Sequence, residues 1–171
     1  MSAAGTFVSF SPVICYSYYN DLLAERMMEM AGPALKQLHS HRAIHEGGLS
    51  GAIGKTEMLI DFLQQGDEKN AARAADDLID YWKTRVISHA DAEEEGFYQE
   101  IAAENPSLET AVIQLTRDHD LMRLIVADIE KLKVQEGISP AVLQKFYALI
   151  TVNELHSREE ERLLFEQPAD N

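Results

Sequence analysis

The sequence predicts an all-α fold, an antiparallel up-down-up-down four-helix bundle with an N-terminal arm and a short extra helix, and three observations predict it. Glycine and proline cluster at Gly32-Pro33, Gly66-Asp67, Asn105-Pro106 and Gly137 to Pro140, leaving long segments between them. Within each segment the apolar residues return every three or four positions, the period of one helix face. The connections span only a few residues, which favours antiparallel neighbours.

The first helix is expected to open at Pro33 and run to about Gln65, with Leu38, His41, His45, Ala52, Leu59 and Phe62 on one face. Gly47, Gly48, Gly51 and Gly54 weaken it, because each glycine inside a helix costs roughly 1 kcal/mol against alanine. The pattern therefore implies either a kink or a close backbone approach. The second helix, about Glu68 to Glu104, places Leu78, Ile79, Trp82, Val86, His89, Glu93, Phe97 and Ile101 on one stripe. The third is expected to start from Ser107 as N-cap, with Glu109 in its first turn, and to turn Leu108, Val112, Leu115, His119, Met122, Val126 and Ile129 inward. The fourth starts from Ser139 as N-cap with Pro140 at the first helical position, and its stripe is Val142, Phe146, Leu149, Asn153, His156, Glu160 and Leu163. Ahead of the bundle, Thr6 to Tyr16 reads as a strand or an extended arm, and Tyr19 to Met30 as a short helix.

The 171 residues, 46% of them hydrophobic, fit one domain over 1–171, with the bundle at about 33–166 and the arm at 1–32. A net charge of −14 argues against a nucleic-acid partner, which would draw on clustered Lys and Arg, and against an anionic membrane surface. Cys15 is the only cysteine, so the chain alone forms neither a disulfide nor a thiolate cage. Met1 to Ala24 lacks a cationic start and a sustained apolar run, and the expected location is cytoplasmic. The glycine-rich run ending Gly54-Lys55-Thr56 is not a phosphate loop: the spacing requires a glycine where Leu49 stands, and no strand precedes it.

Every predicted helix carries a histidine on its inward stripe: His41 or His45, then His89, His119 and His156. Two also place a glutamate one turn later on the same face, as His89-Ala-Asp-Ala-Glu93 and His156-Ser-Arg-Glu-Glu160. An i,i+4 pair points imidazole and carboxylate the same way, and bundle cores assemble two-metal carboxylate sites from such pairs on facing helices. Burying these groups without partners would cost several kcal/mol per charge, roughly, and a cation removes that cost. Asn153, almost one turn before His156, either orients that histidine or is an ordinary buried amide.

The strings from His89 to Phe97 and from His156 to Phe165 resemble the paired His-x-x-x-Glu-Glu signatures of hemerythrin-like (HHE cation-binding) domains. In those domains a helix with a histidine in an acidic-His-x-x-aliphatic-Arg setting precedes each signature. Asp118 to Arg123 fits that setting, and His41-Arg42-Ala43-Ile44 fits it with Ser40 in the acidic place. The resemblance covers about Leu35 to Phe165. It implies two non-haem irons, joined by an oxo or hydroxo bridge, with Glu93 and Glu160 as bridging carboxylates. His41, His89, His119 and His156 are then terminal ligands. The two halves read as an internal repeat. Oxygen-carrying hemerythrins use a fifth histidine four residues after that of the third helix, where this chain has Arg123, and an aspartate where it has Glu160. That separates the chain from simple oxygen transport. His45, one turn from His41, either supplies the missing nitrogen or lies behind the ligands or at the surface; His39 points elsewhere.

Two irons offer about twelve positions, of which two carboxylates fill about four and a solvent bridge about two, so five histidines leave one open and four leave two. The expected function is binding or sensing of dioxygen, nitric oxide or peroxide, with at most a peroxidase-like or repair activity. The alternatives are iron–sulfur cluster repair or iron donation, as hemerythrin-like domains also serve, and a metal-free helical interaction protein. Tyr98, Tyr147 and the aromatic group Tyr16, Tyr18 and Tyr19 either gate the pocket or form homodimer contacts.

Overall fold

The computed structural model describes residues 35–165; the expected arm and the short helix over Tyr19 to Met30 lie outside the described residues. Four long helices make a helical bundle, with no strand among the described residues: α1 (Leu38–Gln64), α2 (68–104), α3 (Glu109–Glu136) and α4 (Pro140–Glu160). α1 packs along α2 and α4, and α3 packs along α4.

Two helix starts differ from expectation. α1 begins at Leu38 rather than Pro33, because Gln37 is extended at φ −113° and ψ 112°. This turns the buried Leu35 in beneath the start of the helix. α3 begins at Glu109 and not from Ser107, because Pro106–Leu108 forms a 3₁₀ turn capped by Asn105, whose side chain accepts the Ser107 N–H. α4 starts as its sequence predicts: Ser139 is extended and its hydroxyl accepts the Val142 N–H at 3.4 Å. At the α1–α2 turn, Gly66 takes φ +69° and Asp67 caps α2 through the Asn70 N–H.

α2 runs the predicted length but is not uniform. Two π turns, Trp82–Ile87 and Glu93–Phe97, flank the α turn Ser88–Ala92, and Tyr98–Glu104 completes it. A π turn closes hydrogen bonds five residues back and so inserts an extra residue, which re-aims the side chains that follow. A third π turn, Glu161–Phe165, extends α4. Each His-x-x-x-Glu motif thus meets a π turn at its glutamate end.

Within the glycine run of α1, Gly51 serves close approach. A Cβ on Gly51 would stand 2.1 Å from the Tyr81 hydroxyl, which donates to the carbonyl oxygens of Gly47 and Gly48, each at 3.2 Å. Tyr81 lies in a notch that only a missing side chain provides.

Two apolar clusters stand apart. The larger includes Leu59, Leu78, Trp82, Met122, Ile129, Phe146 and Leu149, and the smaller includes Leu35, Phe97, Tyr98, Leu115 and Leu164. Along the chain the buried histidines and glutamates of all four helices lie between members of the two clusters, on α1 between Leu35, just ahead of the helix, and Ala52. Among the described residues no helix is long and apolar enough to cross a membrane.

Candidate metal centre

Helix periodicity brings His41, His45, His89, Glu93, His119, His156 and Glu160 together between the apolar clusters. His41, Glu93 and Glu160 have no exposed surface, His119 and His156 almost none, and His89 is the least buried. His41 and His45, one turn apart, set their rings edge to face at 4.3 Å. One donor atom from each of His41, His45, His89 and Glu93 lies within 4.8 Å of the others, and the same holds for Glu93, His119 and His156. Glu93 belongs to both groups.

Its two oxygens divide between them. Oε1 is 2.9 Å from His89 Nε2, 3.1 Å from His41 Nε2 and 3.6 Å from His45 Nε2, whereas Oε2 is 3.4 Å from His119 Nε2. Glu160 Oε2 lies 2.9 Å from His41 Nε2, 3.3 Å from His45 Nε2 and 3.7 Å from His156 Nε2. The structure therefore places three imidazoles on one side, two on the other, and both carboxylates between.

The donor set fits a cation. His41 Nδ1 lies 3.0 Å from the Leu35 carbonyl oxygen, which can only accept, so the Nδ1 proton is fixed there. In the neutral ring Nε2 then presents a lone pair to two carboxylate oxygens, and only a positive charge relieves that contact. Burial works against a charge on His41, yet the Glu160 carboxylate, which accepts from Nε2, and the nearby Glu93 carboxylate outweigh it and push the pKa up to about 10. His119 is raised for the same reasons, with burial opposing and Glu93 and Glu94 prevailing. For Glu93, burial raises the pKa, but the His89 charge and the imidazoles of His119, His41 and His45 hold it well below the usual carboxylate range.

Even so, both Glu93 oxygens and Glu160 Oε1 are buried without a well-aligned hydrogen bond, as are His89 Nε2, His45 Nδ1 and His156 Nδ1. An unsatisfied buried polar group costs about 1–3 kcal/mol, more if charged, which is large against a typical domain stability of roughly 5–15 kcal/mol. His119 Nε2 and His156 Nε2 also face each other at 2.9 Å, about the spacing of two nitrogens bound at right angles to one cation at roughly 2.1 Å.

Several residues that stripe analysis does not single out hold this set in place. The second glutamate of each motif reaches a histidine of another helix: Glu94 accepts from His119 Nδ1 at 2.7 Å, and Glu161 Oε1 is 3.6 Å from His45 Nδ1. Each also meets an arginine. Arg123 donates to Glu94 at 2.9 Å and to Asp91 at 2.5 Å, and Arg42 Nε donates to Glu161 at 2.7 Å. The legible signal was the doubled glutamate in both motifs. Asn153 is buried and His39 exposed. Tyr98 is buried against His119, while Tyr147 is half exposed. Phe97 and Phe165 stack at 5.4 Å and close the His41 end.

Against known families, the model of the Hemerythrin HHE cation binding domain matches residues 54–167, more than half of the chain. No curated protein and no solved structure matches it.

Proposed function

The chain belongs to the hemerythrin family of HHE cation-binding domains, and on that premise we propose that it is a non-haem di-iron protein that binds or senses a small oxidant: dioxygen, nitric oxide or peroxide. The observation that carries the reading is Glu93, a fully buried carboxylate whose two oxygens face two separate histidine groups. Glu93 and Glu160 would bridge the irons. His41, His45 and His89 would serve one iron, and His119 and His156 the other. Such a set would leave the two-imidazole side one donor short of six, by octahedral preference. An iron pair held by these residues would supply the electrons and the binding site for the oxidant.

The chain's own groups orient and shield. The Leu35 carbonyl and Glu94 fix the Nδ1 protons of His41 and His119, leaving Nε2 free to ligate. Phe97 and Phe165 keep water from the His41 side. The up-down-up-down order belongs to this reading. The smaller apolar cluster precedes the histidines on α1 and α3 and follows them on α2 and α4, which supports alternating helix directions.

Anaerobic optical titration of the ferrous protein tests the function. A spectral change on adding dioxygen or nitric oxide is expected, and no change with either gas contradicts it.

A further inference from the structure

Tyr98 is a buried polar group at the centre that the proposed ligand set does not use. It is 1% exposed, and its hydroxyl is buried without a hydrogen-bond partner. Its ring lies parallel to His119, 3° between planes and 5.7 Å between centroids. The tyrosine therefore stands on the side with two imidazoles.

Local backbone geometry explains how it gets there. In an uninterrupted α-helix, a residue five positions after Glu93 would be carried well off the Glu93 face. Here the Tyr98 N–H bonds back to the Glu93 carbonyl, closing the π turn Glu93–Phe97 and setting Tyr98 one wide turn above Glu93. π turns give up regular helix geometry and recur at functional sites. This one puts a phenol on the face of the centre.

A buried hydroxyl without a partner is a cost that the site tolerates only if something else satisfies it. The Glu160 carboxylate approaches the Tyr98 hydroxyl within hydrogen-bonding range and Glu93 lies nearby, but neither accepts a well-aligned hydrogen bond from it. A phenol keeps its proton at neutral pH, so toward an anion it acts as a donor.

We propose that Tyr98 is the hydrogen-bond donor that this centre offers to a small anionic or oxygen-bearing ligand entering beside His119. The inference rests on the di-iron reading and adds to it the residue that recognises the ligand. It involves no bond making beyond the hydrogen bond and no electron transfer by Tyr98.

Azide is a suitable probe, because it is a small anion whose stretching frequency reports hydrogen bonding. The iron-loaded, oxidised wild type and Tyr98→Phe would be compared by metal content, azide titration and infrared spectroscopy. The expected result is equal iron content, roughly tenfold weaker azide binding in the variant, and an azide stretch that shifts in heavy water for wild type alone. Metal-free Tyr98→Phe should melt at or above the wild-type temperature, since the substitution removes an unsatisfied hydroxyl.

Equal azide affinity with equal iron content overturns the inference and leaves the di-iron reading standing. A strong visible absorption in wild type without azide, lost in the variant, overturns it by making Tyr98 an iron ligand. A destabilised metal-free variant with unchanged azide binding also overturns it, by assigning Tyr98 to the fold. Failure of wild type to take up iron overturns both readings. Should Tyr98→Phe not fold, the heavy-water shift of wild type decides alone, and its absence counts against the proposal.

Discussion

In the first half of the bundle, α1 and α2, His41 is followed one turn later by His45, and both imidazoles face the carboxylates. In the second half, α3 and α4, His119 is followed one turn later by Arg123, which is turned outward to Asp91, Asp120 and Glu94. The two halves share the His-x-x-x-Glu-Glu motif, so their difference isolates one choice. A histidine at that place adds a nitrogen to the cluster. An arginine there fastens the glutamate that orients His119, and Arg42 beside His41 takes up the matching task with Glu161. The halves teach that one position, four residues after the first histidine, sets the number of nitrogens on each side.

Substitutions can break or sharpen that contrast. The largest effect is expected from Glu93→Gln, since Glu93 is the residue both groups share: bound iron should fall from two equivalents toward none, measured by metal analysis. Arg123→His makes the second half imitate the first. It should retain iron and lose binding of nitric oxide, read optically, because a third imidazole would occupy the open side. Next, Glu94→Ala removes the acceptor of the His119 Nδ1 proton, and iron affinity should drop roughly 10–100-fold in competition with a chelator.

Proton linkage follows from the same cluster. His41 and His119 hold their protons above the ordinary imidazole range in the metal-free protein, and a cation must displace them. Iron loading should therefore release protons to an indicator in weak buffer, and affinity should keep rising with pH beyond neutral, up to about pH 10 where His41 gives up its proton. The smallest effects concern the α1 notch. Gly51→Ala pushes a Cβ against Tyr81 and should cost about 1–3 kcal/mol in thermal or denaturant unfolding. Gly54→Ala meets nothing within 4 Å and should stabilise by up to about 1 kcal/mol.

The length of α2 and the start of α4 were legible because their signals are local: Gly66-Asp67 before one, Ser139-Pro140 before the other. The convergence of seven histidines and glutamates was legible because i,i+4 spacing leaves those side chains one direction. The π turns were not, since a 3.6-residue period is assumed in finding a stripe. Their trace is present nonetheless: along α2 the inward positions run Leu78, Trp82, Val86 and again His89, Glu93, Phe97, Ile101 in steps of four. On the regular α3 the steps alternate four and three. The Leu35 carbonyl was hidden for another reason. A backbone acceptor has no side-chain signature, and the extended Gln37 that turns it inward looks like any other residue before a helix.

The proposed di-iron centre requires two cations that share Glu93. Metal-free protein titrated anaerobically with ferrous iron should take up two equivalents per chain, and Glu93→Gln should take up neither. Binding of no iron by the wild type, or two equivalents retained by the variant, would contradict it.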